Sequence, residues 1–297
     1  MNGFLLLDKA VGKTSFDLVR DVKRIFKTKK VGHAGTLDPD ASGLLLIAVN
    51  HATRLLRFLE LEPKTYTFEM VLGTKTNTDD AVGEVVLTAP FEHIGRGEIE
   101  ALLPTFCGEI GQRPPQFSAL HVNGKRAYKL ARKGEAFELP ERSVIVHKFS
   151  LLSVEDNRVS MAASVSSGTY IRSLARDLGE ALSSVAHASK IRRVSLAQYH
   201  VDAAKEIQNV TIADLIPAED ILCQSLPLFE IEEEDLVRIR KGLQFNLWDV
   251  RREIGDFLGL CVQKTLVGVG EVIEQDVFDP ELGSRIQPRV VFPEEAG

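Results

Sequence analysis

Three glycines and a proline fall within the twelve residues Gly32-His33-Ala34-Gly35-Thr36-Leu37-Asp38-Pro39-Asp40-Ala41-Ser42-Gly43, and among them stand a histidine and two carboxylates. Glycine admits positive φ and proline locks φ, so this stretch must follow a stiff and unusual backbone path. It is followed directly by the apolar run 44–49. A stiff loop at the end of a buried strand can hold a carboxylate for nucleophilic attack, proton transfer or charge stabilisation. A plain turn explains the same residues equally well, with Asp38 capping a backbone N–H and His33 on the surface.

A second group is Gly168-Thr169-Tyr170-Ile171-Arg172, where a predicted strand gives way to a predicted helix. Tyr170 offers a flat stacking face and Arg172 a planar cation, a pair suited to a base and to a carboxylate or phosphate. An ordinary helix start with a surface arginine has the same appearance. Tyr66 lies on the apolar face of an alternating segment, where a core tyrosine is the default reading. Asp80 sits in the polar hairpin tip 76–83 and gains a role only if it meets a cation such as Arg172. Gly12-Lys13-Thr14-Ser15 also stands between a strand and a helix. A phosphate loop needs a glycine five residues before Gly12, where Leu7 stands, so nucleotide binding is rejected. Lys9, Lys13 and the helix start remain able to meet an RNA phosphate. None of the seven histidines falls at HxH or HxxxH spacing, and the three cysteines form no CxxC pair. No metal site is predicted, and no motif implies a cofactor.

The elements that must carry these residues can be read from hydrophobic periodicity. Strands are predicted at 4–7, 44–49, 65–72, 142–152, 159–166 and 197–201. In the segment 65–72, Tyr66, Phe68, Met70 and Leu72 share one face. A hairpin through 80–83 returns the chain as 84–87. Thr14 followed by Asp17 is a capping-box-like start to a helix reaching about residue 26, with Phe16, Val19, Val22 and Phe26 along one side. Further helices are predicted at 97–103, 126–133 and 170–182, and 29–42 is predicted as loop. Strands dominate without a regular βαβ repeat, which indicates an α+β fold with a mixed, mostly antiparallel sheet. After residue 217 the texture changes to an acidic helix start at 230–235 and short strands at 257–262, 265–273 and 288–292. The predicted division is a domain of residues 1–225 and a small β-rich domain of residues 226–297.

The chain has 297 residues, 44% of them hydrophobic and 26% charged, as in a globular protein with a sizeable core. Its longest apolar run is far too short to span a bilayer, and the N-terminus lacks the basic region of a signal peptide. Sparse cysteines suit the reducing cytoplasm, which is the expected compartment. The net charge is −6, but its distribution is uneven: residues 1–57 carry 10 basic and 5 acidic groups, whereas residues 205–297 carry 9 and 19. Residues 113–148 carry 8 and 3. Such patches suit an electrostatic contact with nucleic acid, although charged faces also segregate by chance.

Taken in order, the segments resemble the TruB family of tRNA pseudouridine-55 synthases. The resemblance rests on Asp8–Ser15, Gly32–Gly43, Lys64-Thr65-Tyr66, Thr76–Gly83, Pro114-Pro115, Ser167–Arg172 and Ile191-Arg192-Arg193, and spans about three-quarters of the chain. It implies a pseudouridine synthase fold and an enzyme that isomerises a uridine in the T arm of tRNA. It further implies Asp38 as the catalytic aspartate, Arg172 as its partner and Asp80 as the acid that orients Arg172. Tyr66 becomes the tyrosine stacked on the target base and His33 the histidine that helps hold the extruded nucleotide. Tyr170 and Ile191 complete the pocket wall. Ile191 stands where the family usually has Leu, a volume-conserving change. Ala10 replaces the common Pro after Lys9. The tail, with Gly268-Val269-Gly270-Glu271 and Pro288–Phe292, resembles the PUA-type RNA-binding module. The implied partner is tRNA, through its T stem-loop; a monomer without membrane or obligatory protein partner is expected, and no cofactor.

Overall fold

The computed structural model of the chain describes residues 2–293 apart from 119, 123, 132–136, 138, 249, 251 and 276–282. Its first strands are β1 (Gly3–Lys9), β2 (Val31–Ala34) and β3 (Ser42–Val49), with helix α1 (Ser15–Ile25) between β1 and β2. Then come β4 (Lys64–Leu72), β5 (Gly108–Gln112), β6 (Arg142–Glu155) and β7 (Arg158–Val165). Helix α2 (Ile171–Ala181) leads to β8 (Ala186–Leu196). Together with two short strands, Tyr199–His200 and Ile216–Pro217, these form a ten-stranded sheet in the order Ile216–Pro217, β1, β3, β8, β4, β7, β6, β5. β2 pairs β3 and Tyr199–His200 pairs β8. β3 and β8 run parallel and the other paired neighbours antiparallel, so the sheet is the mixed, mostly antiparallel one expected for an α+β chain.

The unbroken apolar run of β3 has a physical cause: both of its faces are covered. Leu45, Ile47 and Val49 point with Leu5 and Leu7 towards Leu18, Val19 and Val22 of α1. Leu44, Leu46 and Ala48 point with Phe4 the other way, into a cluster that includes Cys261, Leu266, Val269, Val290 and Phe292. These last residues belong to a second, five-stranded sheet ordered Leu228–Glu230, Phe257–Val262, Thr265–Gln275, Ser284–Val291, Phe245–Leu247. The C-terminal, strand-rich region therefore packs on the large sheet through one shared hydrophobic cluster. A third cluster joins α2 to β4, β6, β7 and β8.

The structure departs from the sequence reading at three places. Residues 31–34, expected in a loop, form β2 against the far half of β3. The central strand β8 occupies residues 186–196, where no strand was predicted; its Lys-Ile-Arg-Arg centre breaks the apolar alternation. Phe16, expected on the buried side of α1, is 59% exposed, because the core-facing stripe runs through Ser15, Leu18, Val19 and Val22. The capping box at Thr14 and Asp17 is present, with each side chain bonded to the other's backbone N–H. The hairpin return forms Val85–Thr88 and pairs Thr74–Thr76 in a separate two-stranded ribbon. Of the helix expected at 126–133, the described part is Ala127–Ala131.

Candidate active site

One row of residues crosses the large sheet and sets the floor of the site. Lys9 of β1 faces Gly43 of β3, Gly43 faces Arg193 of β8, Arg193 faces Tyr66 of β4, and Tyr66 faces Ala163 of β7. The twelve-residue glycine-bounded segment starts in β2, where Gly32 faces Ala48, and reaches this row at Gly43. Gly43 has φ +107°, and a Cβ there would lie 2.2 Å from the Arg193 carbonyl oxygen, so no side chain fits where the parallel pairing begins.

Side chains from three elements fix the loop. Ser15 at the start of α1 accepts from the Leu37 N–H at 2.9 Å and donates to the Leu37 carbonyl at 3.3 Å. Lys9 is fully buried and donates to the carbonyls of Ala10 (3.1 Å), Lys13 (2.6 Å) and Pro39 (3.2 Å). Burial lowers its pKa to about 8, against the pull of Asp38 and Asp40. Lys9 thus shapes the loop from beneath, its ammonium buried on three carbonyls, whereas its sequence position had left it able to meet an RNA phosphate. Arg193, 1% exposed, donates to the Leu44 carbonyl at 2.8 Å and the Gly35 carbonyl at 3.1 Å. Arg193 tethers both ends of the loop, a part that its place in a double-arginine motif did not reveal.

Asp38 is held at the top of this loop with its side chain 43% exposed, and its Oδ2 lies 3.0 Å from Nη2 of Arg172. The Arg172 side chain is 4% exposed and acts as a hub. Nη1 donates to the Thr78 carbonyl at 2.9 Å and to Asp80 at 3.3 Å, and Nη2 donates to the Phe117 carbonyl at 3.1 Å. Asp80 is itself set by a short bond from the Thr78 hydroxyl, 2.5 Å, and by the Val82 N–H. The polar hairpin tip is therefore the device that aims the arginine, and the arginine is aimed at Asp38.

α2, which carries Arg172, has no side-chain cap of its own at Tyr170. Gln112, 1% exposed, takes that place: its amide oxygen accepts from the Tyr170 N–H at 2.8 Å and its nitrogen donates to the Tyr170 carbonyl at 3.1 Å. Ser173 and Arg176 bind the Arg113 carbonyl at 2.9 and 2.8 Å, latching the segment after β5 along the helix. Burial pushes the Tyr170 phenol up, and the nearby Asp38 charge adds to the rise. Arg176 also pairs with Asp79 at 2.9 Å and Asp177 at 2.7 Å; burial raises both carboxyls, and the arginine opposes that rise.

Tyr66 is 9% exposed and packs in the same cluster as Leu37 and Ala41, which flank Asp38, and as Ile171 and Ile191. The apolar wall and the charged hub thus converge on one loop. His33 stands on β2 and lines a cavity of about 760 Å³ beside the loop, with Gly35, Glu62, Lys64 and Ser167; Asp38 does not line it. Burial, then the charge of Arg193, lowers the pKa of His33. The same two causes lower that of Lys64, and Glu62 counters them. Arg172 thus contacts both Asp38 and Asp80, Tyr170 lies within electrostatic reach of Asp38 and Arg172, Tyr66 and Ile191 share the hydrophobic cluster of Leu37 and Ala41, and His33 faces the neighbouring cavity.

The comparisons with known proteins agree with this architecture. The model of the TruB family pseudouridylate synthase (N terminal domain) matches residues 23–171. The chain is 36% identical to the tRNA pseudouridine synthase B of Solibacter usitatus (strain Ellin6076), over 94% of this chain and 99% of that protein. It is 39% identical to the protein of the same name from Arthrobacter sp. (strain FB24), over 82% and 81% of the two chains. A chain in the structure of an H/ACA RNP bound to a substrate RNA containing 2'-deoxyuridine superposes with TM-score 0.71 and 23% identity, covering 98% of this chain and 85% of that one, a likeness of fold. A chain in a Cbf5-Nop10-Gar1 complex gives TM-score 0.68 and 26% identity, over 97% and 83%. The chain that builds this site belongs to the TruB family of pseudouridylate synthases.

Proposed function

We propose that the protein isomerises the uridine at position 55, in the T arm of tRNA, to pseudouridine, with Asp38 as the catalytic carboxylate. The observation that carries this reading is the 3.0 Å pairing of a half-exposed Asp38 with an Arg172 that is itself buried and fixed by Thr78, Asp80 and Phe117. In the reaction the N1–C1′ bond breaks, the uracil turns, and C5 bonds to C1′; the C5 proton leaves and N1 gains one. Atoms and electrons balance within the nucleotide. The sugar carbon turns electron-poor as its bond to N1 breaks, and an anionic carboxylate serves that carbon as in glycoside cleavage.

The remaining residues take their parts around Asp38. Tyr66 stacks on the detached uracil and keeps it in place while it rotates, with Tyr170 and Ile191 as the walls. His33, held neutral by its surroundings, receives the extruded nucleotide from the side of its cavity. Asp80 and Gln112 position Arg172 and Tyr170. The target base lies within a folded arm and must be flipped out to reach Asp38. Arm shape guides recognition more than a base-by-base code. The C-terminal sheet is read as a PUA-type RNA-binding module.

Conversion of a T-arm stem-loop labelled with tritium at uridine C5 tests the reading directly. Asp38→Asn is expected to release no tritium while binding tRNA within about twofold of the unchanged protein; substantial residual release removes Asp38 from its role. In the same assay Tyr66→Phe separates stacking from proton handling: loss of most turnover assigns the hydroxyl a proton, and full turnover leaves Tyr66 a stacking surface.

A further inference from the structure

The outward face of α1 has no role in the site described above, and its composition is unusual. Phe16 is 59% exposed, and two cations lie over its ring, the guanidinium of Arg20 5.7 Å from the centroid and the ammonium of Lys23 5.9 Å from it. Val11, just before the helix, is also 59% exposed. Further along, Lys23-Arg24-Ile25-Phe26-Lys27-Thr28-Lys29-Lys30 places five cations in eight residues without a carboxylate. The two acids of the helix are already engaged: Asp21 with Lys13 (3.0 Å) and Arg24 (2.9 Å), Asp17 with Arg20 (3.3 Å). Among the described residues no carboxylate lies within ion-pair reach of Lys23, Lys27, Lys29 or Lys30. Lys27, Lys29 and Lys30 are all exposed.

This face is mechanically joined to the Asp38 loop. Besides the two Ser15 bonds to Leu37, the Gly12 N–H donates to the Pro39 carbonyl at 2.9 Å. A ligand seated on Phe16 therefore rests one residue from a side chain that grips the catalytic loop.

We infer that the outward face of α1 and the exposed segment 27–30 that follows it form a docking surface for the tRNA, with Phe16 as a stacking plate and Lys27, Lys29 and Lys30 as phosphate contacts. The inference rests on the proposed function and adds to it a place where the RNA is gripped. An exposed aromatic ring beside cations suits an unpaired base whose backbone is drawn to cations nearby. Cations without carboxylate partners release counterions when they meet phosphates, which favours binding. A lipid surface is the poorer fit. An interfacial helix buries a broad apolar face, and the apolar stripe of α1 is already turned into the core at Leu18, Val19 and Val22.

The test uses the full chain, an unmodified tRNA transcript and vesicles containing phosphatidylserine. Phe16→Ser is expected to weaken tRNA binding about tenfold. Replacing Lys27, Lys29 and Lys30 together by Gln is expected to weaken it at least as much and to lower the slope of log K against log salt by about 2. The loss is expected in KM and not in the maximal rate. Arg96→Gln, at a cation already paired with Glu100, serves as the control and is expected to change neither affinity nor slope. Thermal melting checks that the exposed replacements leave the fold intact. Unchanged affinity and slope in both α1 variants overturn the inference. So does a wild-type chain that holds vesicles through these residues while the variants keep their grip on tRNA. A wild-type chain that binds tRNA through α1 but forms no pseudouridine sinks the catalytic reading and leaves the docking surface standing.

Discussion

Lys9 holds an ammonium group out of solvent, directly beneath the residue proposed to do the chemistry. Its pKa of about 8 in the folded chain compares with 10.5 when exposed. The folded chain therefore gives up this proton near pH 8, while the unfolded chain keeps it to about 10.5. Between those values the unfolded state binds more protons, so this residue's contribution to stability rises with pH. Below pH 8 the buried charge costs on the order of 3 kcal/mol, and the cost is relieved as pH rises towards 10.5. Urea unfolding of the wild type and of Lys9→Met at pH 7.5 and pH 10 isolates the effect. The wild type is expected to gain a few kcal/mol relative to the variant at the higher pH; a constant difference would place the proton elsewhere. At this scale the sequence was informative where unusual residue types stood at unusual spacing, as with Asp38 among glycines, and Arg172 after Tyr170. It was silent on Arg193 and Gln112, because a buried arginine bonded only to carbonyls and a buried amide at a strand end look like surface residues until their neighbours are known.

The parallel pairing of β3 with β8 decides where the loop can lie, and it depends on one glycine. Gly43→Ala would place a methyl group 2.2 Å from the Arg193 carbonyl oxygen at a positive φ that alanine disfavours. The expected result is a loss of about 3 kcal/mol or more in chemical denaturation, with turnover falling as the loop shifts. A variant with unchanged stability and rate would show that β3 and β8 can part here without consequence. β1, β3 and β4 were legible because burial on one or both faces writes a plain apolar pattern. β8 was not, since its centre carries Lys190, Arg192 and Arg193, and tertiary partners such as Asp8, 2.6 Å from Arg192, hold those charges. β2 escaped notice because four residues with a glycine and a histidine carry no periodicity. Phe16 was placed on the wrong side of α1, since the stripe shifts by one residue once Ser15 turns inward to grip Leu37.

Across the whole molecule, the large sheet and the C-terminal sheet share one hydrophobic cluster, in which Phe4, Leu44 and Leu46 pack with Leu266, Val269 and Val290. Arg54 adds a bond across the seam to the Val291 carbonyl at 3.0 Å. The two sheets are therefore expected to unfold together. Trp248, the chain's single tryptophan, reports on the C-terminal region, and far-ultraviolet circular dichroism reports on the whole. Their urea midpoints are expected to coincide, and well-separated midpoints would show two independent units. The change of texture after residue 217 was visible in the sequence, but the joint core was not, because an apolar residue does not announce which sheet will cover it. This common filling has a further consequence. A chain cut near residue 225 would strip Leu266, Val269, Val290 and Phe292 from the cluster of Phe4, Leu44, Leu46 and Ala48 and uncover apolar surface prone to self-association. Whatever such a fragment lost in RNA affinity would report its stickiness, so the tail's grip on RNA is better measured by single replacements on its outer strands.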